Sequence, residues 1–168
     1  MKRMYKFRLY PTTSQQATFT QWLTTCRLVY NKALSERKDA WHSHQNAVSY
    51  YEQANHLKEA KKSNLFLQAV HSQVLQDVLR RLDKTFKNFF RRIKKGEKAG
   101  YPRFKGKYRY DSFTYPQSGF ALDFHKKKLR LSKIGRITIK LHRPIPAEAW
   151  SWPVLSNAML TTGMPVLQ

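Results

Sequence analysis

The residues best equipped for chemistry lie between Arg80 and Arg109. Thirteen lysines and arginines stand there against two acids, Asp83 and Glu97. Cations at that density neutralise phosphates, and interleaved aromatics (Tyr101, Phe104, Tyr108, Tyr110) offer faces on which unpaired bases stack. A solvated helix face normally mixes signs, because opposite charges one turn apart stabilise it, so a one-signed run needs another reason. The candidate nucleic-acid contacts are Lys84, Lys87, Arg91, Arg92, Lys94 and Lys95 on a helix, then Tyr101, Arg103, Lys105, Lys107 and Arg109 on the loop after it. Gln76 and Arg80, one turn apart, have the groups to read purine edges, Gln on adenine and Arg on guanine. Both are also common surface helix residues, so the pair alone is a weak signal.

No catalytic constellation stands beside this basic stretch. There is no phosphate-cradling glycine loop and no dinucleotide fingerprint. The single cysteine, Cys26, and the scattered histidines have no metal-ligand spacing, so neither a metal nor a cofactor is implied. Metal-dependent nucleases need several converging carboxylates. Asp111 and Asp123 read instead as turn or strand-edge residues, His125 as a turn residue, and Cys26 as a small buried side chain.

The whole chain agrees with the basic stretch. Its 168 residues carry a net charge of +22, which argues for a polyanionic partner, while 41% hydrophobic and 14% aromatic content suffices for a core. Diffuse charge on an architectural protein is the bland alternative. One cysteine permits no internal disulfide, the N-terminus lacks a secretory apolar run, and no stretch reads as a membrane span. The expectation is a cytoplasmic protein without a membrane partner; oligomeric state is left open.

These residues need elements to hold them. Val74, Leu75, Val78, Leu79, Leu82, Phe86, Phe89 and Ile93 recur at three- and four-residue spacing, which predicts a long helix from near Val70 to Gly96 with one core face and one basic face. Upstream, Tyr5, Phe7 and Leu9 alternate as a strand that Pro11 ends. Thr13 and Gln16 suit a capping box opening a short helix with Phe19, Trp22 and Leu23 on one face. Thr24-Thr25 reads as a break before a second helix reaching about His42. Such a pair is either a helix-turn-helix or, more commonly, a plain helical hairpin. A third helix fits Val48–Ala60, with a basic break at Lys61–Asn64. Downstream, Ser112–Tyr115, Phe120–Phe124, Leu129–Leu131 and Ile137–Leu141 alternate as short antiparallel strands.

Taken together, RLYPTTSQQ, CRLVYNKAL, LDKTFKNFFRR, GYPRFKGKYRYDSFTYPQSGF and LSKIGRITIKLHRPIP resemble the N-terminal half of a TnpB/OrfB-type insertion-sequence transposase. That family of RNA-guided nucleases is related to type V CRISPR effectors, and the likeness runs from Met1 to Pro146. It implies an α+β fold: a helical recognition bundle, helix-turn-helix-like, inserted in a small antiparallel β-barrel, the wedge domain. Residues 1–10 would be the first wedge strand, 11–99 the recognition domain, and 100–146 the remaining strands with the basic loop. The resemblance implies DNA and a guide-type RNA as partners, and places Tyr50, Gln76 and Arg80 where the family reads a short motif beside its target. The family's nuclease carboxylates and zinc ribbon have no counterpart in the residues present, so the expected function is nucleic-acid binding without catalysis. A stand-alone helix-turn-helix DNA-binding regulator and a non-functional frameshifted remnant are the alternatives. The second arises because residues 147–168 lack both alternation and helical stripe; they read as an out-of-frame tail that forms no native strand.

Overall fold

The computed structural model describes residues 6–142, together with the backbone of Ala158–Thr161 and Val166–Leu167. The chain divides into two compact units, residues 1–23 with 111–168, and residues 24–110. In this division the first turns of the opening helix go with the strands, and the basic loop goes with the helices.

In the first unit, side chains alternate between a buried and an exposed face. In β1 (Phe7–Tyr10), Phe7 and Leu9 are buried; in β4 (Lys128–Leu131), Leu129 and Leu131; in β5 (Gly135–Lys140), Ile137 and Ile139. Antiparallel register sets Leu9 opposite Ile139, Leu129 opposite Ile137, and Leu122 of β3 (Phe120–Asp123) opposite Leu129. Each such aliphatic side chain contributes about 1.5–3 kcal/mol on burial, and a one-residue slip would turn the whole set to water. Phe19 and Trp22, on the first part of α1 (Thr13–His44), join this core: the Trp22 ring lies 5.5 Å from Phe113 and 6.2 Å from Tyr115 on β2 (Ser112–Tyr115).

The described sheet is open rather than a closed barrel. Its order is β3-β4-β5-β1-β7, with β7 (Val166–Leu167) on β1, while β2 pairs separately with β6 (Ala158–Thr161). The tail thus supplies two short strands where none was expected. Backbone hydrogen bonds to the free edges of β1 and β2 require no side-chain alternation. Residues 143–157, 162–165 and 168, and Tyr5 of the opening strand, lie outside the described residues.

The second unit is helical. The expected break at Thr24-Thr25 is absent, since α1 runs through it and Thr25 is itself buried. No glycine or proline interrupts that stretch, and the buried series Phe19, Trp22, Leu23, Cys26, Tyr30, Ala33 and Leu34 continues across it at helical spacing. Packing outweighs the weak helix propensity of threonine. The capping box also sits one residue earlier: the Gln15 amide donates to Thr12 Oγ1, and Thr12 N–H donates to Gln15 Oε1.

The next helix, α2 (Tyr50–Ser63), is set by a capping box between Ser49 and Glu52, and it extends past the expected break at Lys61. Hydrogen bonds from Ser49 to the Glu52 carboxylate hold that carboxyl below the usual range. Asn64 ends α2 and caps α3 (Leu65–Ala69), its side-chain oxygen accepting from Phe66 and Leu67. Lys61 then ties the following turn, donating to the Val70 carbonyl and Ser72 Oγ at the start of α4 (Ser72–Lys94). Gly96, at φ +70°, closes α4: Glu97 N–H reaches the Arg92 carbonyl and Gly96 N–H the Ile93 carbonyl, a Schellman ending.

The α4 stripe is core only in part. Val74 to Phe86 are buried, but Phe89 is half-buried and Ile93 is 51% exposed. In the last two turns the apolar spacing persists without a buried setting, and Tyr101 brings a ring from the following loop onto Phe86 and Phe89.

Candidate nucleic-acid interface

A helix turns about 100° per residue, so Gln76, Arg80, Lys84, Lys87, Arg91 and Lys94 fall within an arc of about 80° along about 27 Å of α4. All six are exposed. The helix holds this face outward because the opposite one, Val74 to Phe86, is anchored in the core. Each of the acids near it is paired, Asp83 with Lys87 of the stripe itself. Asp77 receives Arg81 at 2.8 Å, Asp83 receives Arg37 at 3.5 Å and Lys87 at 2.8 Å, and Glu97 lies 3.9 Å from Arg92. Among the described residues, Arg80, Lys84, Arg91, Lys94 and Lys95 have no ion-pair partner. The Asp83 hydrogen bond and charge push the Lys87 ammonium up, which keeps it cationic. The result is a one-signed rod suited to a line of phosphates.

The loop after α4 is pinned to this unit. Asn31 holds Lys105 by two hydrogen bonds, accepting its N–H at 2.8 Å and donating to its carbonyl at 2.9 Å. The Lys105 ammonium lies over the Tyr30 ring. Lys38 sits over both Phe104, at 4.8 Å, and Tyr101, at 5.2 Å. Tyr101 also packs edge-on against Phe86 and Phe89, so its ring belongs largely to the fold. Arg103, Lys107 and Arg109 are exposed, and the Lys107 ammonium stands 5.6 Å from the ring centre of Tyr108, which is 87% exposed.

Tyr50 opens α2 half-buried, its ring 5.5 Å from Tyr51. Tyr51 is 78% exposed and within electrostatic reach of Lys87, so it stands beside the α4 stripe. Phe90, 55% exposed, also flanks the stripe. The sequence reading overlooked both. Tyr51 adjoins Tyr50 in a helix assigned by propensity alone, and Phe90 sits beside a core residue.

A polar network fixes α4 against α1 and α2. Arg37, with only 9% of its side chain exposed, donates through Nε to Gln53 Oε1 at 2.8 Å, reaches Asp83, and lies 5.1 Å from the Phe86 ring centre. Buried Gln53 in turn donates to the Ala33 carbonyl and the Glu36 carboxylate. Cys26 is fully buried, and burial pushes its thiol up to about 12. The Tyr110 phenol is raised for the same reason. Neither is a nucleophile near neutral pH. Among the described residues, no group of three His, Cys, Asp or Glu is placed to hold a metal ion, and no helix is long and apolar enough to cross a membrane.

An α+β protein with a basic helix face and a pinned basic loop is what the geometry defines. Comparison with known proteins gives that class its family setting. Residues 1–46 match the family model described as a helix-turn-helix domain, that of OrfB from IS605-type elements. The chain is 38% identical over 153 residues to a protein of Streptomyces pristinaespiralis named as an RNA-guided DNA endonuclease, covering 89% of this chain and 36% of that protein. It is 32% identical over 149 residues to InsQ of Escherichia coli K12, also named as an RNA-guided DNA endonuclease, covering 86% of this chain and 36% of InsQ. The resemblance to TnpB/OrfB-type proteins is thus confirmed over most of the chain, which spans about a third of the length of these relatives. Within the matched N-terminal residues, the described structure is strand β1 followed by the single helix α1, without an internal turn.

Proposed function

We propose that these residues are the nucleic-acid-binding part of a TnpB-like protein, holding a guide-type RNA and target DNA. The helical unit would serve as the recognition domain and the strand unit as the wedge. The observation that carries this reading is the exposed α4 stripe, in which Arg80, Lys84, Arg91 and Lys94 line one face without acidic partners, the nearby carboxylates being paired with Arg37, Arg81, Lys87 and Arg92. In this reading Gln76 and Arg80 meet base edges and the cations beyond them meet phosphates. Tyr50 supports α2 beside them, and Tyr51 offers the stacking face. The pinned loop carries Arg103, Lys107, Tyr108 and Arg109 to the same ligand. We assign nucleic-acid binding to the described residues.

The test is the nucleic acid that the protein retains when isolated natively at low salt. RNA of defined length, lost when Arg91, Arg92, Lys94 and Lys95 are replaced by alanine, is the expected result. Retention of DNA alone would overturn the guide-RNA assignment in favour of a DNA-binding regulator.

A further inference from the structure

The strands bury one face, and the other is basic in a way the fold does not require. Arg8 and Tyr10 of β1, Lys128 and Arg130 of β4, and Arg136 and Lys140 of β5 are all exposed on that outer face. Register places Arg8 directly opposite Lys140, and Arg130 directly opposite Arg136. Like charges directly opposite each other destabilise a sheet. None of these cations forms an ion pair among the described residues. Asp123 shares the face at its β3 edge, opposite Lys128, but its carboxylate accepts the Lys126 N–H at 2.9 Å.

Tyr10 occupies the row between the two basic pairs, opposite Thr138. It is 46% exposed, and the Arg8 guanidinium stands 5.3 Å from its ring centre. From Arg136 to Lys140 the strand advances about 13 Å, and β4 to β1 spans about 10 Å. An open sheet with cations at both ends of a short diagonal and an aromatic between them matches the general requirements of a single-strand platform. We propose that this outer face binds a single-stranded nucleic-acid segment, with phosphates on the Arg8–Lys140 and Arg130–Arg136 pairs and one base stacked on Tyr10. A duplex hides its base faces, so Tyr10 would add nothing to duplex binding. The site is separate from the α4 stripe and does not rest on it.

The experiment titrates the full chain with a fluorescent oligouridylate and with a duplex of equal length, by anisotropy across a potassium chloride series. The variants are Arg8→Ala/Lys140→Ala, Arg130→Ala/Arg136→Ala, Tyr10→Ala, Tyr10→Phe and an alanine-substituted α4 stripe. Each sheet pair should lower the salt slope for the oligonucleotide by about 1.4, from about 0.7 per phosphate contact. Tyr10→Ala should weaken the single strand about 5- to 150-fold and leave the duplex unchanged, while Tyr10→Phe retains affinity. Thermal melts of the sheet variants should not fall, since like-charge pairs are being relieved; if alanine unfolds a strand, Arg130→Thr/Arg136→Thr carries the same test. Unchanged slopes in both sheet pairs, or equal losses of duplex and single strand in Tyr10→Ala, would overturn the proposal. Loss in the α4 variant with the sheet variants intact refutes this site alone, and the reverse pattern refutes the α4 reading alone.

Discussion

Phe86 and Phe89 lie three residues apart on one helix, and the structure makes opposite demands of them. Phe86 is 8% exposed, with Arg37 over its ring at 5.1 Å and the Tyr101 edge at 5.8 Å. A buried phenylalanine removes about 150–250 Å² from water, and at about 25 cal/mol per Å² that is about 4–6 kcal/mol. Residual structure in the unfolded chain lowers the figure, so Phe86→Ala should cost about 3–5 kcal/mol. Phe89 is half-buried, touching Phe90 and Tyr101 near the exposed end of α4. With about half the area and little cavity left behind, Phe89→Ala should cost about 1–2 kcal/mol. Urea unfolding followed at 222 nm reports mainly the helical unit, and the shift in midpoint multiplied by the slope gives each loss. Equal losses, or a larger loss at Phe89, would refute the view that the core ends near Phe86.

Other substitutions probe the remaining supports. Arg37→Ala strands Gln53 and weakens the hold on Asp83; it should cost about 2–3 kcal/mol in the same urea assay, and Arg37→Lys should not restore it because the Nε bond is lost. Gly96→Ala meets no atom within 4 Å, so its cost is the left-handed backbone alone, about 1–2 kcal/mol by thermal melt. Cys26 should react with a thiol reagent at pH 8 only as fast as the helical unit opens. Because its folded pKa of about 12 exceeds the value of 9.0 for a free thiol, its contribution is complete below pH 9 and is lost as pH rises toward 12; Cys26→Ala should flatten that alkaline decline. Glu52 shifts the opposite way, so the support it gives α2 is present above the ordinary glutamate range and disappears as pH falls through its lowered pKa; Glu52→Gln should remove that part of the acid dependence of the melt.

The strands were legible because period-two alternation survives in segments as short as Lys128–Leu131, and α4 because its stripe is apolar through three turns. The continuity of α1 was not legible: Thr24-Thr25 looks like punctuation locally, and only the packing of Cys26 and Tyr30 beyond it shows that the helix continues. Spacing also could not tell Phe86 from Ile93, since what covers a stripe lies elsewhere in the chain. The charged residues of α4 were readable as a set. Which of them are already engaged was not, because Arg37 approaches Asp83 from another helix and Lys38 reaches Tyr101 and Phe104 from α1. The basic sheet face was invisible for a related reason. Arg8 and Lys140 are far apart in sequence, and strand pairing alone makes them neighbours.

The claim at the centre of this account is that the α4 face binds phosphates, and the salt dependence of binding measures that directly. Arg80, Lys84, Arg91 and Lys94 replaced together by alanine remove four contacts, each contributing about 0.9 to the slope of log K against log salt on duplex DNA. The slope should fall by about 3–4, with folding unchanged by circular dichroism. A slope equal to that of the unaltered chain would contradict the assignment of this face.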